Sequence, residues 1–398
     1  MFRRLAFMGM IAGWSLSITS GQTREAAKVA PKATGATHTY YIAADEVEWN
    51  YAPAQMDHMT GKPYDQRARL FVENDAGHIG RIFKKAVYRE YTDDSFTKLK
   101  PRGPEWAHLG IVGPVLRGEA GDTLKIVFKN NAHFPFSMHP HGVRYDQDSD
   151  GVKGISPGES FTYTWILDPR TAPKAGEPSS KLWLYHSHAN ERRDLAAGLV
   201  GAILVSAKGN ARADGTPKDV DREFVAIFYT ADENQSWYLT ENISKYISDP
   251  KNLEKNTQFA FRDIDGERVN MSFAGSNLRE TINGYIFGNA SGFTMKQGER
   301  VRWYTAAMGS LHTAHWHANT VMLDERATDV VPLLPAEMHT VDMLAENPGM
   351  WMFHCHIEPH LASGMYTHYR IEPAETLSQR HDKTPGSIHH RSDGSSRQ

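Results

Sequence analysis

Trp351-Met352-Phe353-His354-Cys355-His356, followed by His360 and Leu361-Ala362-Ser363-Gly364-Met365, is a stretch that the chain carries twice. The other copy is Trp183-Leu184-Tyr185-His186-Ser187-His188, followed by Leu195-Ala196-Ala197-Gly198-Leu199. Aligning the copies sets His139 and His141 against His315 and His317, and Gly121-Asp122 against Gly298-Glu299. Self-similarity over such a span marks one folded unit present twice. Thr123-Leu124-Lys125-Ile126-Val127-Phe128 and Phe161-Thr162-Tyr163-Thr164-Trp165-Ile166 read as strands, and 32 Gly with 20 Pro supply the turns between many short runs. The expected fold is all-β, with two β-sandwich domains at 38–207 and 220–372. The polar Gly- and Pro-containing stretch from Ser206 to Val220 is the expected linker. Residues 374–398 lack a hydrophobic pattern and read as a mobile tail.

Cys355 is the only cysteine. A thiolate, two imidazoles and a weakly held thioether make the trigonal blue-copper set, and Cys355, His360 and Met365 supply three of the four. On an extended strand His354 and His356 face away from Cys355, so a metal on their side would be joined to the cysteine side through a few backbone bonds. Three further clusters accompany this one: His139-Pro140-His141-Gly142, His186-Ser187-His188 and His312-Thr313-Ala314-His315-Trp316-His317. His315 and His317 share a strand face while His312 faces oppositely, which makes His312 the fourth member of the Cys355 set. In the first half the equivalent positions are Phe136, Ser187, Asp194 and Leu199. Phe and Leu cannot bind copper and a serine hydroxyl is too weak a ligand to replace a thiolate. Eight histidines remain for a cluster built by both domains.

The ordered motifs HxHG, HxH, HxxHxH and HCHxxxHxxxGM resemble the signature of the multicopper oxidases, all four intact. Tyr40-Tyr41-Ile42-Ala43-Ala44, Ile282-Asn283-Gly284-Tyr285-Ile286-Phe287-Gly288-Asn289 and Trp303-Tyr304 are similar to segments of ceruloplasmin. The stretch from His139 to Asp150, with Tyr145 inside it, is similar to the two-domain bacterial laccases. The resemblance implies cupredoxin-like Greek-key sandwiches and four coppers per active unit. Type 1 copper would be held by His312, Cys355, His360 and Met365, and type 2 by His139 and His315. One type 3 copper would belong to His141, His186 and His356, the other to His188, His317 and His354. Electrons would leave Cys355 by way of His354 and His356, and dioxygen would be reduced to water by four electrons. Asp150 and Tyr145 would serve proton supply and tyrosine redox chemistry; Asp150 also reads as a turn residue in Asp146-Gln147-Asp148-Ser149-Asp150-Gly151. A two-domain chain leaves one cluster-forming face unmatched, so the expected assembly is a homotrimer with clusters between subunits.

The expected electron donors are small phenols or aromatic amines, as for a laccase. A ferrous or cuprous ion oxidase is the alternative, since metal-ion substrates call for carboxylates beside the type 1 site. Glu280 and Glu358 are the candidate acids, while Gly275 and Pro359 stand where ceruloplasmin's pattern has metal-binding groups. A copper nitrite reductase would carry its blue-copper cysteine in the first domain, and a non-catalytic copper carrier would not need eight histidines split evenly between domains. Net charge of −3 gives no electrostatic footprint for nucleic acid. Arg3-Arg4 before an apolar run from Leu5 to about Ser17 reads as an export signal within 1–25, by the general or the twin-arginine route, placing the protein in the periplasm or outside the cell. A single cysteine allows no intramolecular disulfide. His108, His133, His339 and His368 read as structural, His389-His390 as part of a solvated tail, and Met56-Asp57-His58-Met59 as either surface filler or a copper-capture loop.

Overall fold

Thr123–Asn130 alternates as the sequence suggests, with Leu124, Ile126 and Phe128 fully buried. A computed structural model describes residues 35–251, 253, 261–264 and 267–374. The export signal at 1–25 and the tail beyond Ala374 lie outside the described residues. In the first half one sheet runs in the order Ile82–Tyr91, Thr37–Asn50, Thr123–Asn130, Ser160–Ile166. The other runs Leu116–Glu119, Val200–Ser206, Ser180–His186, His139–Pro140. Two pairings are parallel, Thr37–Asn50 with Thr123–Asn130 and Leu116–Glu119 with Val200–Ser206.

The second half repeats that plan. Arg222–Asp232 lies parallel to Arg300–Met308, and Thr294–Lys296 parallel to Tyr366–Glu372. The halves are thus cupredoxin-like sandwiches that share a topology as well as a motif. Ser206 to Val220 forms an ordered loop, in which Arg212 donates to the carbonyls of Pro217, Lys218 and Val220.

Two strands show how the halves are joined. Every residue of Val200–Ser206 is buried. Ile203 and Val205 face the first half's core, while Val200, Ala202 and Leu204 face a second apolar layer. Arg222–Asp232 is divided in the same way, with Phe224, Ala226 and Phe228 in its own core and Val225, Ile227, Tyr229 and Ala231 in that same second layer. A strand covered on both faces reads as a continuous apolar run rather than as an alternating one. The common layer also takes in Leu182, Leu184, Tyr304 and Ala306, so the halves are stacked on one core.

The Ile282-Asn283-Gly284 segment locks this interface. Asn283 has a left-handed φ of 51°, which Asn tolerates better than most residues. Its side-chain amide donates to the carbonyls of His108 and Val225 at 2.7 and 2.8 Å, and its side-chain oxygen accepts from the Ile227 N–H at 2.8 Å. Beside it, His108 is fully buried, and its Nε2 accepts from the Val225 N–H at 3.0 Å.

Candidate metal centre

His312–Trp316 pairs antiparallel with Gly349–Cys355, setting Ala314 opposite Cys355 and His315 opposite His354. Alternation then divides the histidines: His312 points inward with Ala314 and Trp316, toward the core that holds Cys355 and Phe353. His360 arrives from the short helix Glu358–Ala362, which opens with Pro359 in its first turn. His312 Nδ1 and His360 Nδ1 are 3.0 Å apart, and Cys355 Sγ lies 3.8 Å from the first and 3.7 Å from the second. Three donors around one first-row ion at roughly 2.0–2.3 Å are separated by about these distances. Met365 is fully buried in the same core, and its carbonyl accepts from the Cys355 N–H at 3.0 Å. The donors fit copper in its trigonal thiolate site.

Burial, then the facing His360, pushes His312 down to about 3, and burial lowers His360 as well. Both imidazoles are therefore neutral, the form that binds metal. Burial raises the Cys355 thiol, so metal binding there releases a proton.

The eight remaining histidines of the motifs form two quartets. In the first half His139 faces His186 across the strand pair, and the rings of His139, His141, His186 and His188 pack at centroid distances from 4.9 to 5.6 Å. His141 Nε2 and His186 Nε2 are 3.0 Å apart. In the second half His315, His317, His354 and His356 pack at 4.8 to 5.6 Å, with His317 Nε2 3.0 Å and His315 Nδ1 3.1 Å from His354 Nε2. Among the described residues no ring of one quartet packs on a ring of the other. Burial, followed for His141 by its histidine neighbours, holds His141, His186 and His354 each at about 4, again neutral. Gly142, last residue of HxHG, has φ 64°, and a Cβ there would lie 1.9 Å from the Trp183 ring, so only glycine lets that indole close over the turn.

Asp150 acts on His139 first through its backbone: its carbonyl lies 2.6 Å from His139 Nδ1, and its carboxylate 3.3 Å. Tyr145 packs 6.0 Å from the His139 ring, and burial together with the hydrogen-bonded Asp150 carboxylate raises its pKa. Glu280 Oε1 lies 3.9 Å from His360 Nε2. Its other oxygen accepts from Thr230 Oγ1 at 2.7 Å, and Thr230 Oγ1 is 3.3 Å from His312 Nε2. Burial, with Asp232 adding and the Thr230 bond opposing, raises Glu280 to about 7. Glu358 is exposed on the first turn of the His360 helix.

Sequence reading missed two acids at the quartets. Glu191 Oε2 is 3.5 Å from His188 Nε2, and Asp329 Oδ2 is 3.5 Å from His315 Nε2. Glu191, three residues beyond His188, carried a weak signal; Asp329 carried none, because its strand neighbourhood places it. In the Met56 to Met59 stretch, Asp57 accepts from the Tyr366 hydroxyl at 2.8 Å and from the Met59 N–H at 2.7 Å, so its acid fastens the loop to the body.

A buried His-Cys-His set with a methionine beside it, carried on two stacked cupredoxin-like sandwiches, belongs to the cupredoxin class of copper proteins. Multicopper oxidase family models match residues 109–210 and 262–375, together more than half of the chain. Human Ferroxidase HEPHL1 is 40% identical over 355 residues, covering 84% of this chain and 29% of that protein. Human ceruloplasmin is 35% identical over 344 residues, covering 84% and 30%. Among solved structures, multicopper oxidase mgLAC superimposes with a TM-score of 0.53 at 18% identity, over 87% of this chain and 91% of that one. The chain belongs to the multicopper oxidase family, and it spans about 29% of the length of the HEPHL1 relative.

Proposed function

We propose that the protein is a copper-dependent oxidase of reduced metal ions, ferrous iron foremost, with dioxygen as the electron acceptor. The observation that carries this reading is the Glu280 carboxylate at 3.9 Å from His360 Nε2, with Thr230 linking it to His312. A carboxylate there offers a hard oxygen donor to a divalent ion beside the outward nitrogen of a type 1 ligand. Kinship with proteins named ferroxidase supports it. It takes first place over the phenol- and amine-oxidising reading expected from the sequence. That reading keeps one support, the exposed Leu311 next to His312 and Leu278 near Glu280.

Copper bound at the Cys355 set and at the quartets supplies one-electron oxidation at the first and four-electron reduction of dioxygen at the second. The chain's own part is to hold neutral imidazoles in fixed pairs, to keep the thiol buried, and to join the two places by the single peptide bonds from Cys355 to His354 and His356. In full, four ferrous ions, one dioxygen and four protons become four ferric ions and two waters, and Asp150, Glu191 and Asp329 are the acids placed to deliver protons near the quartets.

The ligand division is part of the same proposal. His141 with His186 and His317 with His354 are the type 3 pairs, each completed by His356 or His188 of the opposite quartet, and His139 with His315 holds the type 2 ion. In this reading the domains at 38–207 and 220–372 of neighbouring subunits complete each other in a homotrimer with four coppers per active unit, in keeping with the lack, among the described residues, of any ring of one quartet packed on a ring of the other. Met365 is the axial ligand, and the leader within 1–25 directs export. Oxygen uptake by copper-loaded protein with Fe(II), Cu(I) or 2,6-dimethoxyphenol, corrected for spontaneous oxidation, tests the reading: ferrous iron is expected to be fastest, and a faster phenol would return the laccase reading. A monomer in solution with full copper and activity would refute the trimer.

A further inference from the structure

The first half keeps the framework of a type 1 site without its ligands, and the bonds around it correspond one for one. Cys355 N–H donates to Met365 O at 3.0 Å, and Ser187 N–H to Leu199 O at 3.2 Å. Thr313 N–H points to Cys355 Sγ at 3.5 Å, and Ser137 N–H donates to Ser187 Oγ at 3.0 Å. His356 N–H donates to Thr313 Oγ1 at 3.1 Å, and His188 N–H to Ser137 Oγ at 3.0 Å. In the second half these segments meet at the donors for one metal ion. In the first half they meet at Asp194.

Asp194 is fully buried and accepts three hydrogen bonds from protein groups. Ser187 Oγ–H donates to Oδ2 at 2.7 Å, Asn190 N–H to Oδ2 at 2.8 Å, and the Trp237 indole N–H to Oδ1 at 2.8 Å. Burial raises the Asp194 pKa, while the donors that converge on it, with no acceptor opposite, favour the ionised, acceptor-only carboxylate. Ser187 lies between His186 and His188, and Ser137 lies two residues before His139. The bonds that end on Asp194 thus run to the strands bearing three histidines of the first quartet. Trp237 comes from the second half and stacks on Phe134 at 4.8 Å, with the Arg193 guanidinium 3.8 Å from its ring centroid.

We propose that Asp194 is a positioning residue which replaces, in the first half, the cross-link that a type 1 metal provides in the second. Its carboxylate ties Ser187, the Asn190 turn and Trp237 together and so fixes His186 and His188 for metal binding. The proposal rests on the reading of the quartets as copper ligands. Hydrogen-bonded groups behind metal ligands are typically worth about 10–100-fold in metal affinity. The loss should fall on the quartet coppers alone, since Cys355 and its partners lie in the other half.

The test is a chelator-competition titration of copper in the full chain, read by copper per chain, by the type 2 electron paramagnetic resonance signal and by the blue absorption, for the native protein, Asp194→Asn, Asp194→Ala and Ser187→Ala. Asp194→Asn keeps the volume but turns an amide donor toward one of the three donors. The expected result is undiminished blue absorption with quartet copper bound about 10–100-fold more weakly in both Asp194 variants, and a smaller loss in Ser187→Ala. Asp194 variants that hold quartet copper as tightly as the native protein would overturn the proposal. If Asp194→Ala does not fold, Asp194→Asn and Ser187→Ala decide, and native quartet affinity in both overturns it equally. Failure of the native protein itself to bind quartet copper would instead overturn the reading of the quartets.

Discussion

Glu280 Oε1 stands 3.9 Å from His360 Nε2, the nitrogen that faces away from Cys355. An acid within reach of the outer edge of His360, the proposed type 1 ligand, bears on which donors the site serves, because a phenol needs access there while a metal ion needs a ligand.

Glu280→Gln should therefore lower kcat/KM for ferrous iron by about tenfold or more, in line with the loss of an oxygen ligand that an incoming cation can draw into its ionised form. Turnover of 2,6-dimethoxyphenol by the same variant should change by less than about twofold to threefold. Equal losses with both donors, in parallel oxygen-uptake assays, would mean that Glu280 supports the fold of the site and not the metal substrate.

Cys355→Ser should abolish the blue absorption and turnover while leaving the fold and the quartet coppers in place, since a hydroxyl does not replace a thiolate for copper. Turnover retained in oxygen-uptake measurements would break the proposed role of Cys355.

Met365→Leu should raise the type 1 potential, because removing a coordinating thioether leaves the oxidised ion less stabilised. A redox titration with an unchanged midpoint would take Met365 out of the axial position.

His108 gives a stability prediction with a definite sign. Burial lowers it from 6.5 to about 3. The unfolded chain takes up a proton as pH falls below 6.5, while the folded chain refuses it until about 3, so stability is full above 6.5 and is lost across that window at about 1.4 kcal/mol per pH unit. Replacing His108 by Gln, which can still accept from the Val225 N–H, should flatten the fall in stability of the copper-loaded protein between pH 7 and 5. Urea unfolding at the two pH values measures it, and identical slopes in native protein and variant would show that His108 does not cause the loss.

Asn283→Ala removes two donors and one acceptor from buried backbone partners on both halves, and is expected to cost about 2–4 kcal/mol of unfolding free energy. Denaturant titration checks this; a change below about 0.5 kcal/mol would mean that solvent or neighbouring groups satisfy the freed partners.

The donors were legible in the sequence because alternation is a local property. Parity alone separates His312 from His315 and Cys355 from its flanking histidines, and the repeat aligns His139 and His141 with His315 and His317. What lies between halves was not legible. Val200–Ser206 reads as a buried strand, but nothing in seven residues says that Leu204 faces the second half while Ile203 faces its own. Asn283 carried a resemblance without a reason until His108, Val225 and Ile227 were seen to need its amide. Thr230 and Asp329 reach the site through strand register, which single-sequence reading does not provide, and the backbone carbonyl of Asp150 has no signature at all.

The apolar layer of Val200, Leu204, Val225 and Tyr229 also decides what the molecule can be divided into. Severing the chain between 207 and 220 would free two pieces, each with a bare hydrophobic wall the size of a sheet, and such pieces stick together or precipitate instead of working alone. Each half thus serves as the other's scaffold, and a stand-alone version of the half bearing Cys355 would first need polar residues on that wall.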